Sequence, residues 1–256
     1  MKFQKSFPVA IAVSLSLVAT PGMAQRYSPP NEPPIVAGGS PTGRSGGGAS
    51  RGTCPLVDTD LTALVPSGQH ATPTASSANI VWARSTQSHP TLWFYSPYTL
   101  SSDMPAELVL IDKHNNIIYQ TMMDHSAAPG ILEVPIPASV PPLQLNQGYE
   151  WIFSVYCGPE NPVVASGWIE GSVLNPELSA QIAEALSPVA KATLYAENGY
   201  WHDALAELAA ARRANPTNEA IATAWRNLLQ SVGLDNLSTA QILQLSSTST
   251  TAHQSQ

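Results

Sequence analysis

Tyr149-Glu150-Trp151-Ile152-Phe153-Ser154-Val155-Tyr156-Cys157 is the stretch on which the fold class turns. Successive side chains of a strand point to opposite faces, so Tyr149, Trp151, Phe153, Val155 and Cys157 fall together on one side. That side must be buried. It sets a cysteine on the same face as two large rings, in the manner of a sandwich core where a bridge packs against an aromatic side chain. Outward from it, further short runs are bounded by Pro, Gly and Asn: Asn79 to Arg84, Pro90 to Tyr98, Ala106 to Asp112, Ile117 to Met122, Gly130 to Ile136 and Val163 to Gly171. Between two of them, Asp112-Lys113-His114-Asn115-Asn116 is turn chemistry and predicts a hairpin. Strands spaced by turns with no helical pattern between them predict an antiparallel, immunoglobulin-like β-sandwich over residues 53–172.

Beyond Asn175 the composition changes to Ala and Leu and the strand pattern stops. Pro176 to Leu186 reads as a helix. Trp201, Leu205 and Leu208 recur at i, i+4 and i+7, and Ile221, Trp225, Leu228, Leu229 and Val232 keep the same period, each set marking an amphipathic helix. Asn198-Gly199 ends one helix, Thr217 is the expected N-cap of another, and Gly233 is its expected stop. Residues 173–245 are therefore a small helical region, and the chain as a whole is α+β. Tyr195, Ala204, Leu208, Ala211 and Pro216 resemble one tetratricopeptide repeat, although Ala192 stands where that repeat usually has glycine. A lone helical pair has no neighbouring repeat on which to bury its face, so the sandwich is its expected partner.

At the other end, Lys2 and Lys5 precede an apolar run from Phe7 to Ala19, followed by Gly22 and Ala24 at the two positions that a signal peptidase reads. Residues 1–24 are thus expected to be a secretory signal peptide cleaved after Ala24. The apolar run is too short for a membrane span, which needs roughly 20 residues, so the processed protein is not expected to be an integral membrane protein. Export places Cys54 and Cys157, the chain's two cysteines, in an oxidising compartment, and predicts a disulfide between them. Residues 25–52 are rich in Pro and Gly and read as a disordered linker, while the Ser/Thr/Gln-rich residues 246–256 read as a disordered tail.

Composition narrows the partners. The 256 residues carry 11 Lys plus Arg against 18 Asp plus Glu, a net charge of -7, which leaves no basic surface for nucleic acid. The six histidines form no H-E-x-x-H or H-x-H pattern, so no metal site is predicted. Asp124-His125-Ser126 holds the residue types of a nucleophilic triad, but sequence neighbours do not adopt triad geometry and there is no G-x-S-x-G elbow. Glu133, Glu150 and Glu170 lie in strands, where a carboxylate pair could serve glycoside hydrolysis; solvent-facing strand positions are the expected reading. Asp58-Thr59-Asp60 lacks the glycine and closing glutamate of a calcium loop. No catalytic residue and no cofactor is expected.

The aromatic residues leave a choice open. In Pro90 to Tyr98 both faces carry rings, Phe94 and Tyr98 on one and Trp93 and Tyr95 on the other. One face is core. The other is either covered by the helical region or exposed as a platform, with Trp168, for sugar or protein.

Thr53-Cys54-Pro55, Thr62-Ala63-Leu64-Val65-Pro66, Pro90-Thr91-Leu92-Trp93-Phe94-Tyr95, Pro129-Gly130-Ile131, Tyr149-Glu150-Trp151, Cys157 and Gly167-Trp168-Ile169 resemble the family called domain of unknown function 928, found mainly in cyanobacteria. Tyr195-Ala196, Gly199-Tyr200-Trp201-His202-Asp203-Ala204-Leu205 and Trp225 through Leu234 resemble its C-terminal part. The likeness covers roughly residues 53–234 and lies in the order of many short motifs. It implies an exported protein of cyanobacterial type and transfers no catalytic residue. The function expected from the sequence is that of an exported, non-catalytic module that binds a protein or cell-envelope component, with an envelope hydrolase or a carbohydrate-binding module as alternatives.

Overall fold

The computed structural model describes residues 25–30, 54–72, 75–123, 126–158 and 162–244. In chain order the strands are β1 (Thr62–Ala63), β2 (Ser67–Thr72), β3 (Ala75–Ser85), β4 (Thr91–Ser96), β5 (Ala106–Ile111), β6 (Ile117–Met123), β7 (Gly130–Pro135), β8 (Gly148–Val155), β9 (Val163–Gly171) and β10 (Ile242–Gln244). They form a four-stranded sheet ordered β1-β4-β7-β10 and a six-stranded sheet ordered β2-β3-β9-β8-β5-β6. Every run read as a strand forms one, and the Asp112 to Asn116 turn closes the β5–β6 hairpin, with Asp112 Oδ1 accepting from the His114 and Asn116 amides at 2.8 and 2.9 Å. The expectation of a purely antiparallel arrangement is corrected at two places: β3 pairs parallel with β9, and β10 pairs parallel with β7. In both cases the partner strands are joined through a long stretch of chain rather than a tight turn.

The two sheets meet through the faces that alternation marks as apolar. Tyr149, Trp151, Phe153 and Val155 of β8 are all buried, and the Phe94 ring of β4 stacks on Phe153 with centroids 4.0 Å apart and meets Trp151 edge-on at 5.4 Å. Room for Trp151 comes from its cross-strand partner on β9, Gly167. A Cβ at Gly167 would overlap the indole ring and stand 2.7 Å from the Val81 carbonyl oxygen, so only glycine fits. At the end of β8, half-buried Cys157 lies at disulfide distance from Cys54, their Cα atoms 4.9 Å apart.

Four helices follow: α1 (Pro176–Glu184), α2 (Pro188–Glu197), α3 (Trp201–Ala214) and α4 (Glu219–Gln230). The first two begin at a side-chain cap followed by proline, Asn175 accepting from the Leu178 amide and Ser187 from that of Ala190. The α4 cap is Asn218, whose side chain accepts from the Ala220 and Ile221 amides; Thr217, the expected cap, stands one residue too early. Gly199 and Gly233 adopt φ of +83° and +72° and stop α2 and the turn after α4. α3 packs against β3 of the six-stranded sheet and β4 of the four-stranded sheet, so this helix bridges the two sheets. Its first residue, Trp201, is fully buried and donates its indole N–H to the Leu64 carbonyl at 2.7 Å.

β1 and β2 form where no strand run is read, and two further segments depart from the sequence reading. β10 falls inside what reads as the helical region and joins the four-stranded sheet as an edge. Residues 25–30, read as the start of a linker, lie along the helices: the Ser28 amide donates to the Ala196 carbonyl at 3.0 Å and the Gln25 side-chain amide to Val189 at 3.2 Å. Hydrogen bonds to distant helices hold this segment, and composition carries no sign of them. The signal peptide at 1–24, the rest of the linker and the tail at 246–256 lie outside the described residues.

Candidate functional site

Where β3 ends, Ser85, Thr86 and Gln87 turn towards the N-terminus of α3, which presents His202 and Asp203 on its first turn. Between them, His89 to Thr91 and the faces of α2 and α3 lies a cleft of about 330 Å³, also bordered by Tyr195 and Glu207. Asp203 is 4% exposed. Its carboxylate accepts from the Thr86 amide at 3.0 and 3.3 Å, from the Thr86 hydroxyl, and from the Gln87 side-chain amide at 3.5 Å. Burial raises the Asp203 pKa, and the hydrogen bonds from Thr86, Ser85 and Gln87 offset part of that rise. The arrangement is a latch: one carboxylate near a helix N-terminus receives donors from the end of a strand in another layer.

Next to it, His202 is wholly buried, and burial pulls its pKa down to about 4. Neither ring nitrogen meets a partner in hydrogen-bond geometry among the described residues, and the nearby Thr91 backbone offsets only part of the cost. The imidazole is therefore neutral at pH 7. Tyr195 completes the group, its hydroxyl raised first by burial and then by the negative charges of Asp203 and Glu207. Farther along α3, Arg213 pairs with Glu133 of β7, a second tie between helix and sheet.

The three aromatic residues read as a surface do not share one. Trp93 is 1% exposed on β4, and half-buried Tyr95 shares its face of the strand. Trp168 belongs to the other sheet, directly opposite Trp82, and is also buried. The carboxylates read as solvent-facing are also engaged: Glu133 by Arg213, and buried Glu170 by Arg84 at 3.3 Å. Glu150 stands opposite Trp168 on the same face as Glu170, and burial raises the pKa of both. His89 is held between the Val140 carbonyl at 2.9 Å and Ser88, while His114 lies exposed in the β5–β6 turn. Asp124 and His125 are outside the described residues. Among those described, no group of three His, Cys, Asp or Glu side chains is placed to hold a metal ion, and no helix is long and apolar enough to cross a membrane.

Periodicity in the sequence does not mark the latch residues, but their burial in the structure sets them apart. Trp201 to Leu205 are five consecutive buried residues, whereas a helix lying on a surface buries only one stripe. A polar pair inside such a run needs partners from another element. Residues 46–242, which contain the latch, match the family model described as Domain of Unknown Function (DUF928). The chain belongs to the DUF928 family. No curated protein matches it. In this DUF928 protein the motif Gly199-Tyr200-Trp201-His202-Asp203 has a physical meaning: a helix start in which Trp201 and Asp203 both reach across to the sheets.

Proposed function

We propose that this DUF928 protein is an exported, non-catalytic module whose two facing sheets form a sandwich, closed by a Cys54–Cys157 disulfide and carrying a tetratricopeptide-like helical pair, and that it binds a protein or cell-envelope component. The observation supporting this most directly is the use made of the polar groups at the cleft. Asp203 takes donors from Thr86 and Gln87 and thereby fixes α3 to β3, which is the chemistry of a rigid scaffold rather than of a group free to exchange protons with a substrate. Export rests on the leader-like residues 1–24 and on a cysteine pair at bonding distance, since disulfides persist in oxidising compartments. Intact-mass measurement of the protein from its native host tests this: the expected product begins at Gln25 and is two hydrogens lighter than its thiol form. A product retaining Met1 with two alkylatable thiols overturns it.

A second reading, an envelope glycan hydrolase, has one specific observation in its favour. Glu150 and Glu170 are diagonal neighbours on one sheet face, beside Trp82 and Trp168, and such neighbours are about 7–8 Å apart. Release of reducing sugar from envelope glycan by the purified protein, lost in Glu150→Gln, would establish that reading and displace the first.

A further inference from the structure

The segment Gln25 to Pro30 is held as a bound peptide is held. It touches the helices and borders a cleft that β3 also lines. The Tyr27 amide donates to Ser231 Oγ at 3.3 Å, and the Ser28 amide donates to the Ala196 carbonyl at 3.0 Å, so consecutive backbone groups are read by two different helical elements. The Tyr27 ring meets the buried Trp201 edge-on with centroids 5.2 Å apart, and its hydroxyl lies within the field of the Arg84 guanidinium. Pro30 sits over Gly199, where a Cβ would stand 2.9 Å from the proline ring. An aromatic anchor, paired main-chain contacts and a proline over a glycine are the recurring elements by which extended, proline-containing peptides are recognised.

The segment leaves its groove partly empty. Between Tyr27 and Pro29 on one side and Ile80, Trp82 and Val232 on the other there is a cleft of about 260 Å³. Pro29 borders this cleft and remains exposed beside it. We propose that this seam is a peptide-binding groove for an extended segment of the form Tyr-Ser-Xaa-Pro with a bulky apolar residue at Xaa, and that the chain's own residues 27–30 fill it in cis as a weaker occupant. The groove is formed by described residues of the helices, β2 and β3, so it stands whether or not the chain is exported. Its partner is a protein carrying such a segment.

The test uses the chain with residues 26–30 replaced by Gly and Ser, together with three synthetic peptides followed by Trp fluorescence or calorimetry. These are Arg-Tyr-Ser-Pro-Pro, the same peptide with Leu for the first proline, and the same with Ala for tyrosine. Saturable binding of the first is expected, with the Leu peptide about threefold tighter because it fills apolar space and the Ala peptide roughly tenfold weaker because it lacks the anchor. Absence of saturable binding by the folded variant, or equal binding of all three, overturns the proposal. Should the variant fail to fold, the intact chain decides through hydrogen exchange at the Tyr27 and Ser28 amides. Slow exchange that an excess of the Leu peptide accelerates supports the groove, and exchange that the peptide leaves unchanged overturns it.

Discussion

The seam between the two sheets and the seam between helices and sheets are built on different physics. Phe94, Trp151 and Phe153 hold the first by interdigitation, with stacked and edge-on rings and a glycine cut to fit. Asp203, Trp201 and Arg213 hold the second by directed hydrogen bonds and an ion pair that each span more than one layer. Area burial is non-directional and strong, whereas each polar tie has a small net worth but is costly to leave unmade. The first seam supplies cohesion. The second supplies register, fixing which face of α3 meets the sheets, and it brings titratable groups with it.

The comparison breaks most sharply at Gly167. Gly167→Ala drives a methyl into Trp151 and the Val81 carbonyl, and the expected loss is more than about 3 kcal/mol in a denaturant titration. Adding Trp151→Phe removes the ring atoms in the way, so the double variant should recover part of that loss; strict additivity would show that the overlap is not what the glycine relieves.

Acidification should act on the second seam. The folded-state pKa of His202 is lowered, so its contribution is complete above about 6.5 and is lost as pH falls towards 4, by about 3 kcal/mol. His202→Leu should flatten the thermal-melt profile between those two pH values, and an unchanged slope would assign acid sensitivity elsewhere. Asp203→Ala leaves the Thr86 amide and hydroxyl without their acceptor, and about 2 kcal/mol is expected, with hydrogen exchange rising first at Thr86 and Gln87. The smallest effect belongs to Arg213→Ala, whose partly exposed pair with Glu133 should be worth under about 1 kcal/mol and fade with salt.

Sequence reading reached the first seam far better than the second. Tyr149 to Val155 declares its buried face by alternation alone, and the Asp112 turn by its residue types. Thr62–Ala63 and Ile242–Gln244 hold too few residues for any period to show, so both strands went unread. Strand direction depends on what the intervening chain does, and period-2 alternation is the same in parallel and antiparallel pairs, which hid the two parallel pairings. Asp203 and His202 were equally silent as a site, because their role is set by Thr86 and Thr91, more than 100 residues earlier. The same holds for Gln25 to Pro30, whose partners Val189, Ala196, Trp201 and Ser231 all lie in the distant helical region.

The placement of β10 has a bearing on how the chain comes to be folded. Ile131 donates to the Gln241 carbonyl and Ile242 to Gln244 lie beside Ile131 to Glu133, so the four-stranded sheet gains its last edge from the far end of the described chain. Synthesis runs from the amino terminus, so this edge emerges after every strand it joins. Pairings so distant along the chain are slow to nucleate.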